Sequence, residues 1–141
     1  MKKEKYLAQL NEEQLYKLML KMFSNLVDLN IENPVAPIDW YNPDTDEWFE
    51  GKCRYVDKST LFIEKDKWDE LILKDKSFYV NSTLTGIYMW NIQEIEEPVW
   101  RNTVMFKSQQ FTGKEEKVLK LVGDLPISKA LQIDHLLFYQ D

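Results

Sequence analysis

The sequence predicts an α+β domain: an N-terminal amphipathic helix packed on a mostly antiparallel sheet of about five to six strands, with a short helix in the middle. Three observations lead there. Leu15, Leu18, Met19, Met22, Phe23, Leu26 and Val27 recur at helical spacing near the start of the chain. Beyond Asn33-Pro34 the pattern changes to short aromatic and β-branched runs separated by turn residues. No repeat and no linker-like change of composition divides the 141 residues. The chain therefore reads as one domain over 1–141, with a helical segment at 1–33 and a sheet-rich body at 34–141.

The helix is expected from about Glu12 to Leu29. Asn11 can cap it, Gln14 can return the bond, and Leu10 and Leu15 stand at the two positions of a hydrophobic staple. Glu12 and Glu13 fall in the first turn, where the helix dipole favours acids. Pro34 ends the segment. Tyr6, Leu7 and Leu10 suit a short preceding helix. Asn42-Pro43-Asp44-Thr45-Asp46 is turn chemistry, so Trp40-Tyr41 and Trp48-Phe49 become the arms of a hairpin. Lys52 to Val56 and Leu61 to Glu64 flank Asp57-Lys58-Ser59-Thr60 as a second hairpin. Asp66 to Leu73 reads as the short helix, capped by Asp66. Phe78 to Val80, Ile87 to Ile95, Val99 to Phe106 and Val118 to Val122 are expected strands, and Gln109 to Glu116 a polar loop. The tail from Ile127 to Tyr139 suits a helix in its first half and either helix or strand in its second.

Composition narrows the class. Apolar residues make up 44%, enough for a core without disulfide or metal. One cysteine, Cys53, forms no intrachain disulfide, no apolar run follows the basic residues of the N-terminus, and no stretch reaches membrane-span length. The expected location is cytoplasmic. Residues 36–97 carry 14 acids against 7 bases, a net of −7, whereas the whole chain carries −6. Arg54 and Arg101 are the only arginines. This distribution repels phosphate backbones and favours a protein partner with a basic surface.

Several chemistries lack their residues. One cysteine and one histidine, His135, do not make a zinc site, and Asp44, Asp46 and Glu50 fail the calcium-loop pattern at Trp48, Phe49 and Tyr55. Cys53 reads as a small core residue, and His135, among Ile133, Leu136 and Leu137, as a partly buried structural one. Glycines at 51, 86, 113 and 123 are isolated, so no phosphate loop exists.

The stretch Asp39–Glu50 stands out, with five acidic residues, four aromatic ones and no basic one. Carboxylates and large rings on one segment suit the capture of a basic, partly apolar surface. The leading expectation is a non-enzymatic protein-binding module with Asp39, Trp40, Tyr41, Asp44, Asp46, Glu47, Trp48 and Glu50 as its contact residues. Its partner would be a protein that handles nucleic acid, with no direct nucleic-acid or membrane binding and no cofactor. Small bacterial or phage antagonists of the anti-CRISPR, anti-restriction or toxin-immunity kind share this size and acidity.

Pro43-Asp44 followed by Glu50-Gly51-Lys52 also resembles the Pro-Asp…Glu-x-Lys signature of metal-dependent nucleases, in which Asp and Glu hold Mg²⁺ and Lys positions the attacking water. That resemblance implies a nuclease centred on Asp44, Glu50 and Lys52. Gly51 replaces the apolar residue usual between the Glu and the Lys. A third reading is a homo-oligomeric accessory domain with the aromatics in the self-interface.

Overall fold

The structure, a computed structural model, describes residues 7, 10–54, 60–108 and 115–138. In chain order its elements are α1 (Glu12–Met19), β1 (Val27–Asp28), β2 (Trp40–Asn42), β3 (Glu47–Cys53), β4 (Thr60–Glu64), α2 (Lys65–Ile72), β5 (Ser77–Ser82), β6 (Ile87–Asn91), β7 (Trp100–Ser108), β8 (Glu115–Pro126), a 3₁₀ turn (Ile127–Lys129), β9 (Leu131–Gln132) and α3 (Asp134–Phe138). This corrects the expected fold. Among the described residues there are nine strands in two sheets and three short helices, not an N-terminal helix on one sheet of five to six strands.

The first correction concerns helix length. The start is as specified: Asn11 and Gln14 form the reciprocal capping box, each bond 2.9 Å. The helix stops at Met19, however, because the next amides turn back to nearer carbonyls, Lys21 N–H to Leu18 O and Met22 N–H to Met19 O, both 3.0 Å. Met22, Phe23 and Leu26 still pack into the core, but from irregular backbone. Their spacing reported burial, which is not unique to helix. Val27–Asp28 becomes an edge strand instead, pairing with Tyr41 and Trp40.

The second correction is topological. The main sheet has strand order β1-β2-β3-β5-β6-β9. β1, β2 and β3 pair antiparallel, β3 and β5 pair parallel, and β5, β6 and β9 pair antiparallel. The parallel pair requires a crossover, and β4 with α2 supplies it. Leu61–Glu64 does not return along Lys52–Cys53 as a hairpin. It pairs with β8, whose 12 residues also carry β7, to make a second sheet of order β4-β8-β7. The expected turn at Asp57–Ser59, Tyr6 and the loop segment 109–114 lie outside the described residues.

Both faces of the main sheet are covered. Trp40, Phe49, Val80, Ile87 and Met89 meet Leu15, Leu18 and Met19 of α1 together with Ile133 and Leu137. On the opposite face Tyr79, Tyr88 and Trp90 meet Trp68 and Leu71 of α2 and Leu61, Ile63 and Leu125 of the second sheet. Burial on both sides of β5 and β6 replaces the simple alternation of a one-sided sheet. α2 begins at Lys65, its N-cap Glu64 makes no side-chain bond, and Asp66 sits in the first turn. The tail divides into the 3₁₀ turn, β9 and α3, and His135 is exposed. No helix among the described residues is long and apolar enough to cross a membrane.

Candidate functional site

The β2–β3 hairpin forms with Trp40 opposite Phe49, Tyr41 opposite Trp48 and Asn42 opposite Glu47. Alternation sends Trp40 and Phe49 into the core and leaves Tyr41 and Trp48 half-buried on the other face. Their rings touch, with centroids 4.4 Å apart, and the Lys74 ammonium lies 3.9 Å over the Trp48 ring. The acids of the turn are engaged locally. Asn25 Nδ2 donates to Asp44 at 2.9 Å, the Tyr41 hydroxyl to Asp46 at 2.8 Å and the Thr45 hydroxyl to Glu47 at 2.6 Å. Asp46 adopts φ 56°, a left-handed conformation that Asp tolerates better than most residues.

Extending the register past Trp40 and Phe49 brings Asp39 to the level of Glu50. Asp39 is held from two sides: Asn30 Nδ2 donates to Oδ1 at 2.7 Å and the Gly51 amide to Oδ2 at 3.0 Å. Glu50 is 6% exposed, and its Oε1 has no hydrogen-bond partner. Burial, first, and the neighbouring Asp39 charge push the Glu50 carboxyl up to about 9, which favours its protonated form at neutral pH. Glu12, at the first turn of α1, joins them. Enough protein surrounds its carboxyl for burial, then the Asp39 charge, to raise its pKa, although the residue as a whole stays exposed.

Two lysines complete the set. Lys52 follows Glu50 by two residues on β3, so its side chain leaves the same face, and its charge lowers the Glu12 pKa. Lys67, from α2, brings its ammonium to 3.8 Å from Glu50 Oε2. Gly51, between Glu50 and Lys52, has a structural reason: a Cβ there would overlap the Trp40 ring. The indole fills the space that an apolar side chain takes in the Glu-x-Lys pattern. Glu12 and Asp39 open into a cleft of about 440 Å³ that Tyr16, Lys17 and Asn30 also line. Another concavity, about 600 Å³, lies elsewhere, between Glu94–Val99 and Asp124–Pro126.

Among the described residues no three His, Cys, Asp or Glu side chains converge closely enough to hold a metal by themselves. Mg²⁺ has a different requirement, one or two carboxylates with waters and substrate phosphate filling the remaining positions. Asp39 and Glu50 fit it. The Oε1 of Glu50 has no hydrogen-bond partner.

Neither the scan against protein-family models nor the search of curated proteins gives a match. The residues singled out in the sequence divide as follows. Asp39 and Glu50 come together; Tyr41, Asp44, Asp46, Glu47 and Trp48 form the hairpin tip; Trp40 is core at 2% exposure. Asp44 sits at the hairpin tip, bonded to Asn25, and the acid placed nearer Glu50 is Asp39. Counting outward from the Asn42-Pro43 turn could have found it. Glu12, Asn30 and Lys67 gave no such signal, because each enters from a non-adjacent element. Cys53 is half-buried against the core, and burial together with Glu12 pushes its thiol up to about 12, which makes it unreactive.

Proposed function

We propose that the protein is a divalent-metal-dependent phosphodiesterase of the nuclease type, with Asp39 and Glu50 as the metal-binding pair and Lys52 as the group that orients the attacking water. The observation that supports this reading is the placement of Asp39, one residue before β2, near Glu50 of β3, with Lys52 two residues beyond Glu50 on the same face. A bound Mg²⁺ would supply Lewis acidity at the phosphate and a more acidic water. Asn30 and the Gly51 amide fix the Asp39 carboxylate. Glu12 adds a further carboxyl group to the lining of the cleft. The net charge of −6 opposes a phosphate substrate; Lys17 lines the cleft, and Lys67 lies beside Glu50. Incubation with single- and double-stranded DNA and RNA in Mg²⁺ or Mn²⁺ tests the reading. Cleavage that disappears in EDTA and in Glu50→Gln is expected, and no cleavage of any of these substrates with either metal would end it.

A second reading, the acidic protein-binding module, is favoured by one observation: Tyr41 and Trp48 form a half-exposed ring pair beside Asp46 and Glu47. Trp40 and Glu50 are buried and take no part in such a surface. The variant Asp44→Asn/Asp46→Asn/Glu47→Gln separates the two readings. Capture of a basic protein from host lysate by the native chain, lost in this variant and weakened by salt, supports binding, whereas unchanged capture removes the charge argument.

A further inference from the structure

We propose that the β7–β8 ribbon is an arm that docks on a second copy of this chain, its apolar row meeting the acidic, aromatic tip of that copy's β2–β3 hairpin; the inference rests on the tip surface of the second reading above and is independent of the nuclease reading. β4 pairs only with residues 122–126 of β8, so among the described residues the stretch 115–121 has β7 alone beside it. A two-stranded ribbon is marginal in water without a further layer against it. Val104 stands opposite Leu119, and Leu121 lies two residues along β8 on the same face. Their exposures are 56%, 67% and 43%, so the row is left largely open within one copy.

Charge selects the occupant. Residues 99–122 carry five bases, Arg101, Lys107, Lys114, Lys117 and Lys120, against two acids, a net of +3, whereas residues 36–97 carry −7. Lys117 falls on the same face as Leu119 and Leu121. Two arms therefore repel each other, and the arm suits an acidic surface that also offers apolar area. Phosphate backbones supply the charge but give an aliphatic row nothing to pack on. The hairpin tip of this chain supplies both. Tyr41 and Trp48 form a half-exposed ring pair with centroids 4.4 Å apart, and Asp44 and Asp46 are exposed beside it with Glu47. Arm row and tip are each open to solvent, so neither covers the other within one copy, and both are presented to a neighbour. Contact between two different patches is head-to-tail, closing where the rotation allows and otherwise extending.

Analytical sedimentation of the native chain, of Leu119→Asp and of Asp44→Asn/Asp46→Asn/Glu47→Gln tests this. The native chain should self-associate, more strongly at low salt than at high. Each variant should weaken association about tenfold or more, the first by losing a buried aliphatic group and adding a charge of the wrong sign, the second by removing the acids. At a concentration where neither variant associates with itself, an equimolar mixture of the two should pair, because one supplies an intact tip and the other an intact arm. A native chain that stays monomeric at about 1 mM overturns the inference, as does unchanged association of either variant or a mixture that stays monomeric. Leu119, Asp44 and Asp46 are exposed, thermal unfolding verifies that each variant folds, and Leu119→Ala replaces Leu119→Asp if the latter does not. Capture of a foreign basic protein by a native chain that stays monomeric would overturn this inference and leave the second reading standing.

Discussion

Asp39, one residue before β2, lies near Glu50 of β3, and its charge adds to burial in raising the Glu50 pKa. Folding raises the proton affinity of Glu50 from the usual 4.5 to about 9. Between those values the folded chain holds a proton that the unfolded chain has released, so raising the pH through this window costs stability. Glu50→Gln keeps the shape and removes the ionisation. Its unfolding temperature should match that of the native chain near pH 5 and exceed it increasingly toward pH 9, by a free energy on the order of a few kcal/mol. Mg²⁺, which needs the ionised pair, should stabilise the native chain more at pH 8 than at pH 5. Melting curves across this range decide both points. Parallel pH profiles for the native chain and Glu50→Gln would refute the raised proton affinity of Glu50.

Asn30 reaches Asp39 from the loop after β1 with a 2.7 Å bond to a carboxylate that is partly shielded from water. Without it, Asp39 keeps only the Gly51 amide and is free to rotate. Partners of this outer kind typically contribute about 10- to 100-fold to metal affinity or activity. Asn30→Ala is expected to lose that much Mn²⁺ affinity while unfolding within about 1 kcal/mol of the native chain, as befits one hydrogen bond at the cleft wall. Equal losses of affinity and stability would point to a structural role instead.

Much of the hairpin could be read from the chain, and the reason is local. Asn42-Pro43 sets a turn, the flanking ring pairs set the arms, and the pairing Trp40–Phe49 follows. The same register yields Asp39 beside Glu50. The local string Pro43-Asp44 does not reveal that Asp39 lies nearer Glu50 than Asp44 does, because a short motif says nothing about which strand faces which. The rest depended on contacts far apart in sequence. The parallel pairing of β3 with β5, the union of β4 with β8, and the arrival of Glu12 and Lys67 at the cleft are set by burial of two sheet faces, which no local window contains. The helix overshoot past Met19 has the same origin. Met22, Phe23 and Leu26 are core residues, and a core stripe at helical spacing does not oblige the backbone to be helical.

Gly51 is the point where packing and the site meet. Its missing side chain admits the Trp40 ring between Glu50 and Lys52. Gly51→Ala would force the indole or β3 to move, and overpacking of this kind costs about 1–3 kcal/mol. Because the displaced segment carries Glu50 and Lys52, turnover should fall by more than the stability loss implies at a temperature where the variant is fully folded. Trp40→Leu in the Gly51→Ala background should recover part of both. Denaturant unfolding and cleavage rates on the four proteins of this cycle measure it, and simple additivity of the two substitutions would deny the contact.

Asn81 pairs in register with Lys52 across the parallel strands, is 0% exposed, and bonds through neither its amide oxygen nor its amide nitrogen. Its neighbours along the same face, Tyr79 and Lys52, do not satisfy it: the Tyr79 hydroxyl accepts from Arg54 Nη1 at 2.8 Å and donates to the Phe62 carbonyl at 3.2 Å. A buried amide without partners costs about 1–3 kcal/mol relative to an apolar group of the same shape. Asn81→Leu is close in volume and brings no polar atoms, so it should raise the denaturation midpoint by a free energy of that order with an unchanged denaturant slope. A drop in the midpoint would mean that water or another group satisfies the amide in solution. Should stability rise while Mg²⁺-dependent cleavage falls, the orphaned amide would be retained for its place beside Lys52, and the same substitution in a Lys52→Met background should then cause no further loss of rate.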